Sequence, residues 1–176
     1  MRLTEKKVAG IAAMLAIAAF SLSAEEWTFP DRAGWIDVVV DSGVDNTGKT
    51  DVTAKLNRLF ANITKRQAIY FPNGTYLVSG SVFSPDCGAG GTTTGPVVFG
   101  QSRKGSVIRL KDGTWPTDNI TISTSSVPGY TQLKSRVVLN GGDCGNTAFG
   151  KEMHNFTVDL GNNNDGAIGV NWSTAN

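Results

Sequence analysis

From Ala68 onward the chain is a succession of short apolar runs separated by turns of glycine, asparagine and proline, and no helical periodicity interrupts them. Ala68–Phe71 and Thr75–Val78 flank Pro72-Asn73-Gly74, and Val97–Phe99 and Ser106–Leu110 flank residues 100–105. Val137–Leu139 precedes residues 140–143, and Phe156–Leu160 and Ala167–Trp172 flank residues 161–166. Runs this short, bounded by turn formers, read as β-strands, and the lack of helices between them argues against a βαβ sheet. An all-β fold follows, and a sandwich, a barrel and a β-solenoid all satisfy the pattern. The 21 glycines and an 18% share of charged residues fit any of the three. The Pro72-Asn73-Gly74 turn is chemically specified, because proline fixes φ while asparagine and glycine tolerate positive φ.

One segment departs from this pattern. Val52, Leu56, Leu59, Phe60 and Ile63 recur at offsets of 4, 7, 8 and 11, the signature of one helical face. Lys55, Asn57, Arg58 and Asn62 fill the opposite side. The spacing predicts an amphipathic helix over about 51–65, capped by Thr50 or Asp51, whose apolar face must cover something.

The N-terminus carries an address. Residues 1–24 combine Arg2, Lys6 and Lys7 with an apolar run from Val8 to Phe20 and small residues at Ser21, Ser23 and Ala24. This is the form of a cleaved secretory signal peptide, and the run is shorter than the roughly 20 residues that span a bilayer. The remainder, 25–176, suits a single domain. Removing 1–24 takes away three basic residues and one acid, so the formal net charge moves from +1 to −1. Such a surface offers no electrostatic attraction to nucleic acid, and no other stretch suggests membrane insertion. A secreted or periplasmic location is expected. Export also permits one disulfide between Cys87 and Cys144, each within an Asp-Cys-Gly triplet, with two separate thiols as the alternative.

Several blocks then resemble a known family. Asp41–Thr53 (DSGVDNTGKTDVT) is similar to the opening of the pectate lyase superfamily, in its rhamnogalacturonase and epimerase-like branch related to glycoside hydrolase family 28. Asp51 and Thr53 match the end of that opening, whereas Val44–Gly48 replaces its usual Gly-Asp-Gly. The next signature, Pro-x-Gly-x-Tyr, is present in full as Pro72, Gly74 and Tyr76. Phe99–Ser102 with Val107–Asp112, and then Asn146–Phe149, Asn155–Asp159 and Asn164–Val170, resemble the two following coils. The order of these blocks covers about 35–176. The resemblance implies a right-handed parallel β-helix whose N-terminal end is plugged by the helix, with the Pro-Asn-Gly turn leading into the first coil. It also implies a polysaccharide substrate. The blocks make only two or three coils, so the chain reads as the N-terminal part of a longer enzyme whose C-terminal coils carry the chemistry.

Hydrolysis of a glycosidic bond needs two carboxyl groups flanking it. Asp159, at the end of a strand, and Asp165, in an asparagine-rich turn, are the candidates here. A strand end and a turn amide acceptor account for them more simply. β-Elimination on a uronate polymer would instead need a base, often with calcium. Arg103, Lys104 and Arg109 are basic, but Asp41, Asp45 and Asp51 lack the spacing of a calcium loop. No cofactor is therefore expected, with calcium considered only for a lyase. His154 reads as a coil-surface residue, and Trp115, Tyr130 and Trp172 as rings that could stack on sugars or belong to the core. A non-catalytic carbohydrate-binding or adhesion solenoid is the third reading.

Overall fold

The computed structural model describes residues 34–63, 68–83, 93–94, 97–116, 136–140, 148–149 and 151–172. Residues 1–24, expected to be a signal peptide, both cysteines and Tyr130 lie outside the described residues.

The strands are β1 (Trp35–Asp37), β2 (Thr47–Asp51), β3 (Ala68–Phe71), β4 (Gly74–Val78), β5 (Val82–Phe83), β6 (Thr93–Thr94) and β7 (Val97–Gly100). They continue as β8 (Ser106–Leu110), β9 (Val137–Asn140), β10 (Ala148–Phe149), β11 (Glu152–His154), β12 (Thr157–Asp159) and β13 (Ile168–Asn171). One helix, α1 (Thr53–Ala61), lies between β2 and β3. Among the described residues every pairing is parallel, and no strand pairs with its sequence neighbour. The orders are β1-β3-β7-β11, β2-β4-β8-β12 and β5-β9-β13, with β6 and β10 forming a side pair.

This is a parallel β-helix. The chain visits three sheets in turn, laying β3-β4-β5, β7-β8-β9 and β11-β12-β13 as three successive coils. β1, β2 and α1 form the turn before them, and α1 packs against β5 where the third sheet would otherwise have another strand. The apparent strand–turn–strand at 68–78 is therefore a corner between two sheets. The β3–β4, β7–β8 and β11–β12 corners occupy 72–73, 101–105 and 155–156, and the next corner lengthens from 79–81 after β4 to 160–167 after β12.

The core is built by register. Ile69, Val98 and Met153 stack across β3, β7 and β11, and Tyr76, Ile108 and Val158 across β4, β8 and β12. In β8 alternate residues Ser106, Ile108 and Leu110 are buried while Val107 and Arg109 face outward, the period-2 pattern of a strand with one covered face. Each fully buried aliphatic residue contributes roughly 1.5–3 kcal/mol relative to exposure.

The helix is shorter than its periodicity predicted, and its N-cap position is Val52, which supplies no side-chain bond. Asp51, one residue earlier, accepts hydrogen bonds from the Thr53 backbone N–H (2.9 Å) and hydroxyl (2.6 Å) and from the Ser79 hydroxyl. The carboxylate thus satisfies the first helical N–H and ties the helix entry to β4. Val52, Leu56 and Phe60 are buried, and Leu59 and Ile63 pack beside them.

The Pro-Asn-Gly-Thr-Tyr motif has a structural account. Tyr76 is fully buried, its ring meets Phe71 edge-on at 5.0 Å, and its hydroxyl donates to the Pro72 carbonyl at 2.7 Å. Desolvation, reinforced by Asp37 and Tyr70, holds that hydroxyl far above its ordinary pKa. Gly74 has φ +152°, and a Cβ there would stand 2.5 Å from the Asn46 carbonyl oxygen.

The β3–β4 corner and its equivalents are stitched together. Asn46 Nδ2 donates to the Asn73 carbonyl, Asn73 N–H to Gln101 Oε1, and the Ser102 hydroxyl to Asn73 Oδ1. Asn155 Nδ2 donates to the carbonyls of Gly100 and Gln101, and the buried Ser106 hydroxyl to that of Phe71. Asn155 takes φ +60°, a left-handed conformation asparagine tolerates better than most residues.

Candidate functional site

Two regions bear on chemistry. The first is the outward face of the β2-β4-β8-β12 sheet, where Asp51, Leu77, Arg109 and Asp159 occupy one register row. Arg109 Nη1 donates to Asp159 Oδ2 at 2.5 Å and Nη2 to Asp112 Oδ1 at 2.9 Å. Asp159 also accepts from the Gly161 N–H at 2.9 Å, and Asp112 accepts from the backbone and side chain of Asn162. One guanidinium therefore joins two carboxylates from adjacent coils at a solvent-accessible surface.

The electrostatics follow from these bonds. Asp159 first, and Asp112 after it, raise the Arg109 pKa above its ordinary value. Hydrogen bonds from Asn162, and then Arg109, hold the Asp112 carboxyl below the usual carboxylate range. At Asp51 desolvation pushes the pKa up, but the bonds from Ser79 and Thr53 outweigh it and the carboxyl ends below its ordinary value. Arg109 cannot act as a base in this setting.

Asp165 lies exposed in the turn between β12 and β13, so the two sequence candidates occupy different settings. Asp159's partners are Arg109 and Gly161. Arg103 and Lys104 are exposed in the β7–β8 corner. Asp45 is an exposed turn acceptor for Thr47 and Thr50, with its pKa lowered to about 2, first by the Thr47 backbone N–H. Among the described residues no group of three or more His, Cys, Asp or Glu side chains gathers in a way that would hold a metal ion.

The second region is a concave pocket of about 430 Å3, lined by Met153, His154, Phe156, Val158, Leu160 and Val170 among others. All belong to the third coil. The His154 ring stacks on Phe99 at 4.5 Å and 17°, its Nε2 lies 2.8 Å from Glu152 Oε2, and Phe99 in turn meets Trp35 at 5.3 Å. Trp115 and Trp172 are partly buried against the core rather than presented as open platforms.

Sequence reasoning missed the Arg109–Asp159 pair because the partners are fifty residues apart. A signal was available: in Ser106–Leu110 (SVIRL) and Phe156–Leu160 (FTVDL) the two charges hold the same place. The ring stack Trp35–Phe99–His154 left no such trace.

The sequence profile of the Rhamnogalacturonase A/epimerase, pectate lyase-like family matches residues 35–176. No curated protein matches the chain. A solved chain described as Geobacillus virus E2 ORF18 superposes with a TM-score of 0.52 at 16% identity, covering 77% of this chain. The match spans only 22% of that longer chain, and at this identity the likeness is one of fold.

Proposed function

The chain belongs to the rhamnogalacturonase A/epimerase, pectate lyase-like family, and from that premise we propose that it is the N-terminal part of a secreted polysaccharide-degrading enzyme, first of all a glycoside hydrolase. The family match across 35–176 carries this reading. The polysaccharide substrate comes with the family, and hydrolysis is the finer step. Elimination needs a group that takes a proton from carbon, and Arg109 is held in its charged form by Asp159 and Asp112.

The carboxylate pair is assigned to coils beyond Asn176. Asp159 is bound to Arg109, and Asp165 lies in a separate turn. Asp159 Oδ2 accepts from Arg109 Nη1 and its Oδ1 from the Gly161 N–H, so both oxygens are already engaged within the coil stack. In this reading residues 25–176 cap and nucleate the solenoid. The signal-like residues 1–24 direct export, and no helix among the described residues is long and apolar enough to cross a membrane. A purely carbohydrate-binding solenoid is the alternative, favoured by Asp112 and Asp159 both being committed to Arg109.

One assay separates the readings. The full-length protein is incubated with neutral and uronate-containing polysaccharides while new reducing ends and ultraviolet absorbance of unsaturated uronate are followed together. Reducing ends without absorbance establish hydrolysis. Both signals rising in proportion establish elimination. Retention on a polysaccharide column with neither signal establishes binding alone and overturns the enzymatic reading.

A further inference from the structure

The corner between β3 and β4 contains an Asn-Gly dipeptide, Asn73-Gly74, and this pairing has a chemistry of its own. Glycine has no side chain to shield its backbone nitrogen, so that nitrogen can reach the side-chain carbonyl carbon of the preceding asparagine. The Gly74 nitrogen loses its proton and bonds to Asn73 Cγ, the Cγ–Nδ2 bond breaks, and ammonia leaves a cyclic imide. Water then opens the ring at either carbonyl. The product is aspartate, or isoaspartate with the backbone rerouted through Cβ.

The fold withholds both reacting groups. The Gly74 N–H donates to the Gly105 carbonyl at 2.8 Å, so its proton is held by the next coil. The Asn73 N–H donates to Gln101 Oε1 at 2.9 Å and the Asn73 carbonyl accepts from Asn46 Nδ2 at 2.9 Å, which fixes the peptide planes on both sides of its Cα. Asn73 Oδ1 accepts from the Ser102 hydroxyl at 2.8 Å, and the side chain lies against Gly105, where a Cβ would stand 2.2 Å from Oδ1 and 2.4 Å from Cγ. The hydroxyl on Oδ1 polarises Cγ toward attack, but the nucleophile stays bound elsewhere. Burial gives no protection, because Asn73 is exposed and the water for the second step is at hand. In the other Asn-Gly pair, Asn140-Gly141, Asn140 is only 2% exposed and its Oδ1 accepts from Asn171 Nδ2.

We propose that Asn73 is a latent deamidation site, held unreactive by its contacts with residues 101–105 of the second coil and released when those residues lift off the corner. The change is one-way. Isoaspartate adds a methylene carbon to the backbone just before Gly74, and Gly74 is clamped from both sides. Asn46 leaves it no room, since an added Cβ would meet three Asn46 atoms at 2.5–2.7 Å, and Gly105 holds its N–H. A lengthened backbone cannot satisfy both, so β4, which begins at Gly74, loses its anchored end.

The test follows conversion at each asparagine by peptide mass spectrometry, with isoaspartate identified by enzymatic methylation, in the full-length protein kept in mildly alkaline buffer with or without urea. Conversion at Asn73 is expected to be at least about ten-fold slower in the native protein than in the unfolded one. Gly105→Ala drives a Cβ into the Asn73 side chain and is expected to raise the native rate at Asn73 by about ten-fold or more while Asn140 stays slow. Gln101→Ala, which removes the acceptor of the Asn73 N–H, is expected to give a smaller rise with a cooperative thermal melt. If Asn140 accelerates too in Gly105→Ala, that variant has opened globally and Gln101→Ala decides. Equal rates in native and unfolded protein overturn the proposal, as does a Gln101→Ala rate equal to that of the parent. Chains carrying isoaspartate at position 73 are expected to refold from urea without amide-exchange protection at Gly74 and Thr75, and full protection there overturns the one-way step.

Discussion

Replacing Gly74 with alanine tests the account of the corner most directly. Two terms oppose the substitution. The backbone sits at φ +152°, where side chains other than hydrogen are strained by about 1–3 kcal/mol. The new methyl would also stand 2.5–2.7 Å from the carbonyl oxygen, Cβ and Nδ2 of Asn46. Asn46 cannot simply retreat, because its carbonyl accepts the Thr75 N–H at 2.7 Å and its amide donates to the Asn73 carbonyl at 2.9 Å. Overpacking of this kind costs about 1–3 kcal/mol. The sum, about 2–6 kcal/mol, is a large part of a typical 5–15 kcal/mol stability. With a urea m-value of about 1–3 kcal/mol/M, the unfolding midpoint followed by circular dichroism should fall by about 1 M or more. Gly113→Ala is the control: its φ is +69° but nothing lies within 4 Å of the added Cβ, so only the conformational term of about 1 kcal/mol applies. Equal midpoints for the two variants would refute the claim that Asn46 and Gly74 are locked together across coils.

Tyr76→Phe removes the donor to the Pro72 carbonyl in the interior and should lower stability by about 1–3 kcal/mol in the same urea titration. Asp45, lowered from 3.8 to about 2, contributes stability that is fully present above its unfolded pKa and lost as pH falls through about 2. Between pH 4 and pH 2 the parent chain should therefore lose stability more steeply than Asp45→Asn, as seen in acid-dependent melting temperatures. Asp159→Asn should cost less than about 1 kcal/mol, because the pair is a third exposed and Arg109 keeps Asp112. Cleavage of polysaccharide by the full-length Asp159→Asn protein should be unchanged, and a loss of about 100-fold or more would make Asp159 a general acid or base after all.

The fold was legible because its signals are local. Short runs, Asn-Gly turns and one amphipathic helix each declare themselves within a few residues, and the order of four blocks separated a solenoid from a sandwich. What stayed hidden is longer in range. Asn73 and Asn155 sit in turns that announce no partner, and only the fold shows them bonding adjacent coils. β1, β2 and β11 escaped notice because Trp35–Asp37, Thr47–Asp51 and Glu152–His154 are too short or too polar to alternate clearly. The helix boundary was off because Asp51 caps from outside the helix, a displacement that periodicity cannot register. For the candidate site the sequence supplied residue types but not partners: whether Asp159 meets Arg109 or another acid depends on which residues lie one coil away.

The unequal corners carry a consequence for how such a chain can change over time. The β3–β4 corner and its equivalents occupy 72–73, 101–105 and 155–156, and the neighbouring corner grows from 79–81 to 160–167. Lengthening a flexible loop costs only about 0.6 kcal/mol per doubling. Insertions there are therefore nearly neutral, and even the stitched corner lengthens at 101–105 while β4, β8 and β12 stay paired residue for residue. Selection can thus grow new surface at the corners, for new ligands, while the paired strands between them keep the metre for the whole molecule.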